Sequence, residues 1–253
     1  MRRLSSVVLK GLLVLSICSL LVSGSWAADA DKEQTDIAKR IEASAKVLDE
    51  IMAVKDKAIP DKVMQGSKCI AVVPSMVKIA VGFGGNHGKG VATCRTEHGW
   101  SAPAPITITG GSWGLQLGGQ AVDLVMVVTN QQGMEHLLSS KFKLGADASA
   151  AAGPVGRDTA ADTDIKMRAE VLTYSRARGL FAGIDLHGAV VSQDKDETHL
   201  LFGMFVPFSD ILNGKVQPPA VSQPFLAAVR RYSEQSRESG RNKTGSETET
   251  AAK

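Results

Sequence analysis

Apolar and polar positions alternate through the stretch from Gly99 to Val128, GWSAPAPITITGGSWGLQLGGQAVDLVMVV. Ile106 and Ile108 alternate with Thr107 and Thr109, then Trp113, Leu115 and Leu117 with Gly114 and Gln116, the period of two expected of half-buried strands. The pairs Gly110-Gly111 and Gly118-Gly119 read as turns or bulges between strands. Val122 to Val128 is apolar at nearly every position except Asp123, which predicts a central strand buried on both faces.

Upstream the period changes to that of a helix. Ile37, Ile41, Ala45, Leu48 and Met52 recur at helical spacing between Thr35 and Lys57, with Thr35 or Asp36 able to cap the first turn. Basic and acidic residues interleave around this stripe, so it reads as a helix packed on its own sheet rather than on a membrane. Pro60 stops it or opens a short turn through Val63 and Met64.

CIAVVP, KIAVGF and GKGVATCR read as three short strands, separated by Pro74-Ser75 and a loop from Gly84 to Gly88, in an antiparallel meander. A helix carrying Met134, Leu137 and Leu138 follows Thr129. The alanine-rich KFKLGADASAAAGPVG predicts a strand that another part of the protein, or a ligand, approaches closely. Val171 to Arg176 and Leu180 to Leu186 read as strands, Asp194 to Glu197 as an acidic turn. The whole predicts an α+β chain: mainly antiparallel β sheet or a partly closed barrel, with an N-terminal helix and a few short helices.

Length and charge refine this picture. At 253 residues and 43% hydrophobic content the chain can bury one sizeable core. Arg2-Arg3, the apolar run from Gly11 to Val22, and the small residues Ser25 and Ala27 have the layout of a secretory signal. The expected organisation is a signal peptide over 1–27, a polar linker over 28–34, one domain over 35–232, and a disordered polar tail over 233–253. Cleavage near Ala27 would make the protein periplasmic or secreted. The 29 basic residues, less Arg2, Arg3 and Lys10, then balance the 26 acidic ones, so nucleic acid is not an expected partner and attraction to a surface must be local.

Cleavage would also remove Cys18 and leave Cys69 and Cys94 in an oxidising compartment. The meander places these two on strands two places apart and at opposite ends, beyond the roughly 7 Å that a disulfide spans. Two free thiols are therefore expected.

Catalytic motifs are weak. Gly110-Gly111-Ser112-Trp113-Gly114 matches a nucleophile elbow, but that elbow needs a strand followed by a helix, and a strand-like run follows here. Ser112 reads as a turn residue. GFGGNHGKG lacks the first glycine and the final Ser or Thr of a phosphate loop. His87, His98, His136, His187 and His199 have no metal-ligand spacing. Asp185 and His187 would share a strand face, more in the manner of a surface hydrogen bond than of an acid-base couple. No catalytic residue, metal or cofactor is expected.

The blocks IPDKVMQGSKCIAVVPS, VGFGGNHGKGVATCR, GWSAPAPITITGGSWGLQLGGQAVDLVMVV, LGADASAAAGPVGR and SRARGLFAGIDLHGAVV stand in that order between Ile59 and Val191, and PFLAAVRRY follows near the end. Together they resemble the SYLF domain. The resemblance implies a non-enzymatic lipid-binding module, whose eukaryotic relatives attach to phosphoinositide membranes and whose yeast-type relatives also bind actin filaments. An export signal, and the lack of SH3 or FYVE modules, set this chain nearer to exported bacterial members, for which actin is not the expected partner.

Lys141 and Lys143 alternate onto one strand face, Arg176 and Arg178 likewise, and Arg157 follows the Gly-Pro-Val-Gly turn. These five are the candidate lipid-binding residues, a shallow site for anionic phospholipid head groups at a membrane surface. The alternative is an envelope structural or interaction protein that binds a protein partner through strand edges or an apolar groove.

Overall fold

The long runs of β-type sequence pair into a single mostly antiparallel sheet curved as a half-barrel, in a computed structural model describing residues 23–54, 58–81, 83–113, 118–155, 169–177, 180–182 and 186–251. Ten strands take part: β1 (Cys69–Val81), β2 (Phe83–Thr96), β3 (Gly99–Trp100), β4 (Ala104–Trp113), β5 (Gly118–Val128), β6 (Lys141–Lys143), β7 (Ala150–Ala152), β8 (Val171–Ala177), β9 (Leu180–Ala182) and β10 (Val190–Gln193). Their order is β6-β10-β4-β2-β1-β5-β8-β7, with β3 beside β2 and β9 beside β8. The one parallel pairing in this set is β7 with β8. Among the described residues six α-helices accompany the sheet: α1 (Ser23–Ala53), α2 (Asp61–Gly66), α3 (Gln131–Leu138), α4 (Lys195–Phe202), α5 (Phe208–Leu212) and α6 (Gln223–Ala251).

The central strands β1 and β5 are apolar over Cys69–Val73 and Leu124–Val128 because the sheet is covered on both faces there. Along β1, Cys69, Ala71 and Val73 face one core with Ile106, Ile108, Leu124 and Met126, closed by α3 and α5. Ile70 and Val72 face the other, with Val125, Val127 and Leu172, closed by α1, α2 and α6. The predicted stripe Ile37, Ile41, Ala45, Leu48 and Met52 lies in this second core, so α1 packs on its own sheet. Each fully buried Ile or Leu there contributes roughly 1.5 to 3 kcal/mol.

β5 is central, as its apolar run predicts, and its exception has a use. Asp123 accepts hydrogen bonds from the Ser75 amide at 3.0 Å and from Arg176 at 3.0 Å. Ser75, at φ 51°, sits where β1 changes register against both neighbours, between Val73 and Met76 on the β5 side. Pro74 and Ser75 therefore form a bulge within one 13-residue strand, not a turn between two.

That one difference overturns the expectation for the cysteines. With β1 continuous, β2 is its direct antiparallel neighbour and Cys69 stands opposite Cys94. Their Cα atoms are 4.0 Å apart and the two are joined in a disulfide, not left as free thiols.

Other glycine-rich segments also pair rather than turn. Gly84 to Gly88 lies inside β2, opposite Gly110 and Gly111 inside β4. Glycine serves close approach there: a Cβ at Gly90 would run into the Val72 carbonyl. Ser112 is a strand residue opposite Gly84. His187 is exposed in a turn rather than on a strand, and Asp185 lies outside the described residues.

The acidic segment at Asp194 proves to be a helix start: Asp194 caps α4 by accepting from the Glu197 amide at 3.0 Å. The polar tail read as disordered from Ser233 continues α6 to Ala251. Ser233 and Ser236 are buried, and Gln65 of α2 donates to the Ser236 carbonyl. Small hydroxyl residues let α6 approach α2, which composition alone hides. At the other end, the segment read as the linker 28–34 is already part of α1.

Candidate functional site

Charged side chains fall into those neutralised inside the fold and those left facing solvent. The largest internal cluster joins α1, β2, β4 and α4. Arg40 pairs with Glu197, and Lys89 reaches Asp194 at 2.8 Å and Glu197 at 3.0 Å. Thr107 donates to Asp194 at 2.9 Å. Burial disfavours the Lys89 ammonium, but the hydrogen bonds it donates to Asp194 and Glu197 outweigh this and hold its pKa above the usual lysine value. Burial would likewise raise Asp194, yet the Glu197 amide, Lys89 and Thr107 hold it below the ordinary aspartate value.

Arg176 belongs to a second such cluster. From β8 it pairs with Asp123 of β5 at 3.0 Å and with Glu50 of α1. Burial works against its charge, but these two carboxylates outweigh it and raise its pKa. Its Nη2 bridges Glu50 and Asp123 and so clamps α1 to the sheet. A third pair, Arg231 with Asp49, links α6 to α1.

The described members of the sequence-derived binding set, Lys141, Lys143 and Arg176, therefore do not converge. Lys141 and Lys143 are exposed on β6, flanking buried Phe142, at one edge of the sheet. Arg176 stands on β8, next to the opposite edge strand β7. Arg157 and Arg178 lie outside the described residues. Among the described residues no three of His, Cys, Asp and Glu gather as a metal site. No helix there is long and apolar enough to cross a membrane.

Sequence reading missed a second basic surface. Cys69 pairs with Cys94, so Lys68 and Arg95, the residues just outside them, come together: the Arg95 amide donates to the Lys68 carbonyl at 2.7 Å. The mirrored Lys-Cys and Cys-Arg dipeptides were its signal, visible only once the cysteines are paired. Arg95 lies 4.6 Å from the centroid of the Trp100 ring and donates through Nε to the Ser67 carbonyl at 3.2 Å. Its Nη2 is buried without a hydrogen-bond partner. Burial, and then the positive charge of Arg237, push its pKa below the usual arginine value.

Lys68 and Arg95 line an open cleft of about 660 Å³ with His98, Glu97, Gln131 and Asn213. Gly214, at φ +77°, brings the chain after α5 against Thr96, where a Cβ would lie 3.1 Å from the Thr96 methyl.

A helix-flanked half-barrel with basic surfaces at a strand edge and at one end of its sheet is a binding-module architecture. Residues 109–232 match the family model Ysc84, described as Las17-binding protein actin regulator. The chain belongs to this Ysc84/SYLF domain family. It is 30% identical over 198 residues to SH3 domain-containing YSC84-like protein 1 of Rattus norvegicus, covering 76% of this chain and 58% of that protein. Over 202 residues it is 29% identical to LAS seventeen-binding protein 3 of Saccharomyces cerevisiae (strain YJM789), covering 78% of this chain and 44% of that one. Protein YSC84 of Saccharomyces cerevisiae is 29% identical over 175 residues, with 68% and 37% covered. The chain thus spans between about a third and three fifths of these relatives' lengths. Domains of this family are generally non-catalytic binding modules.

Proposed function

We propose that this protein is an exported, non-catalytic module that associates reversibly with anionic phospholipid head groups at a membrane surface. The observation that carries the reading is the β6 edge, where Lys141 and Lys143 project to solvent on either side of buried Phe142. By contrast, Arg40, Lys89 and Arg176 are each paired with carboxylates within the fold. Arg157 and Arg178 complete the proposed basic set; Arg176 supports it only by holding α1 in place. Export is supported by the Arg2-Arg3 and Gly11–Val22 pattern and by the Cys69–Cys94 disulfide, a bond that persists in oxidising compartments. Export would separate the chain from actin, which the family description names, so the proposed partner is a lipid surface rather than actin.

Flotation with liposomes tests this. Each basic residue at an anionic surface contributes about 1 kcal/mol, so replacing Lys141 and Lys143 by Ala should weaken binding about thirtyfold. Binding should also fall steeply with salt. Equal flotation with neutral and anionic liposomes refutes the reading. It would favour instead a protein partner at the exposed Met204 and Phe205, 63% and 49% accessible after α4, or at the β6 and β7 edges.

A further inference from the structure

The cleft beside the disulfide has a composition that a purely structural role leaves unexplained. Lys68 and Arg95 stand side by side, and Arg237 on α6 is near enough to perturb Arg95. Glu97 is the carboxylate in the cleft lining, and among the described residues no ion pair joins it to Lys68, Arg95 or Arg237. Elsewhere in the described structure the partly buried cations Arg40, Lys89 and Arg176 each meet a carboxylate. Arg95 meets none: Trp100 and the Ser67 carbonyl hold it, and its Nη2 lacks a partner. Holding an arginine fork rigid against a ring, without an acid to satisfy it, preorganises it for an incoming oxyanion.

The surroundings suit such a group. His98 sits in the turn between β2 and β3, Gln131 opens α3, and Asn213 and Gly214 bring the chain after α5 to the rim. Gln131 and Asn213 offer amide donors, and the cleft is open enough to admit a head group or a small phosphate ester.

We propose that the cleft formed by Lys68, Arg95, His98 and Gln131 is a binding site for a phosphate-type oxyanion, separate from the β6 lysines. Arg95 supplies the guanidinium charge and Lys68 a second charge at the mouth. The same chemistry is presented by a phosphomonoester lipid and by a soluble phosphate, and the test separates the two. The disulfide contributes by fixing the register that sets Lys68 beside Arg95.

An NMR titration of the full chain with inorganic phosphate at low salt should give saturable shifts at the amides of residues 95–98 and 131. Lys68→Ala, at an exposed position that carries no core contact, and Arg95→Lys, which keeps the charge but loses the fork, should each weaken the titration about tenfold. Absence of saturable shifts, or equal affinity in wild type and Lys68→Ala, overturns the proposal. The Lys141→Ala/Lys143→Ala variant should titrate as wild type, so failure at the β6 edge and failure here are read apart. Flotation with phosphatidic acid in phosphatidylcholine then assigns the source. A loss in Lys68→Ala points to the lipid head group; unchanged flotation beside a weakened phosphate titration points to a soluble phosphate.

Discussion

Opening the Cys69–Cys94 disulfide should cost this fold about 3.5 kcal/mol. The bond closes a loop of 25 residues, and the chain-entropy relation places such a loop between the values for short and hundred-residue loops. For a domain of about 200 residues, each kcal/mol moves the melting temperature by roughly 2 to 4 °C, so the melt should fall by about 7 to 14 °C. Both sulfurs are buried between β1 and β2, so reduction needs strand opening and should be slow without denaturant. The assay is circular-dichroism melting of the oxidised protein, of protein reduced in denaturant and refolded with reductant, and of the Cys69→Ala/Cys94→Ala variant. The double variant avoids stranding an odd thiol. Alkylation of the denatured, unreduced chain, mapped by peptide mass, should leave Cys69 and Cys94 unmodified while Cys18, where present, reacts. Modification of both cysteines, or a melt unchanged by reduction, would refute the pairing and with it the β1–β2 register.

Three further outcomes follow from the clusters and the close approaches. Arg176→Ala should destabilise by about 1 to 3 kcal/mol in urea titration, because it leaves Asp123 and Glu50 unpaired and frees α1 from β8; a change below about 0.5 kcal/mol would show the residue to be an idle surface charge. Asp194 has a folded pKa below the ordinary 3.8, so its contribution is fully present above that unfolded value and is lost as pH falls through the folded one. Asp194→Asn should therefore lower stability at neutral pH and flatten its decline below about pH 4, and parallel acid-unfolding curves for the two proteins would contradict this. Gly90→Ala should cost more than about 2 kcal/mol or prevent folding, since its Cβ meets the Val72 backbone in the paired strand, while Gly111→Ala, with open space around it, should cost far less in the same melts.

Periodicity decided a great deal here. The α1 stripe, the central place of Val122–Val128, the helix after Thr129 and the antiparallel character of the sheet are all local patterns of apolar spacing, which one strand or helix turn suffices to express. Ordered sequence blocks sufficed for the family as well. What the tertiary structure alone decided is which neighbours meet. Pro74-Ser75 looks like a turn in sequence, and only the two strands flanking it force the chain to stay extended through a bulge, which moves every later strand by one place and brings Cys69 onto Cys94. Ser233 and Ser236 look like disordered-tail residues until α2 and Trp100 give their hydroxyls partners. Charge is the extreme case: Arg176 and Lys68 are equally basic letters, and only pairing at long sequence separation makes one a clamp and leaves the other at an open cleft. Spacing along the chain encodes the face a residue occupies, whereas the electrostatic fate of a side chain depends on groups some fifty to more than a hundred residues away, as at Asp123 and Glu50 for Arg176.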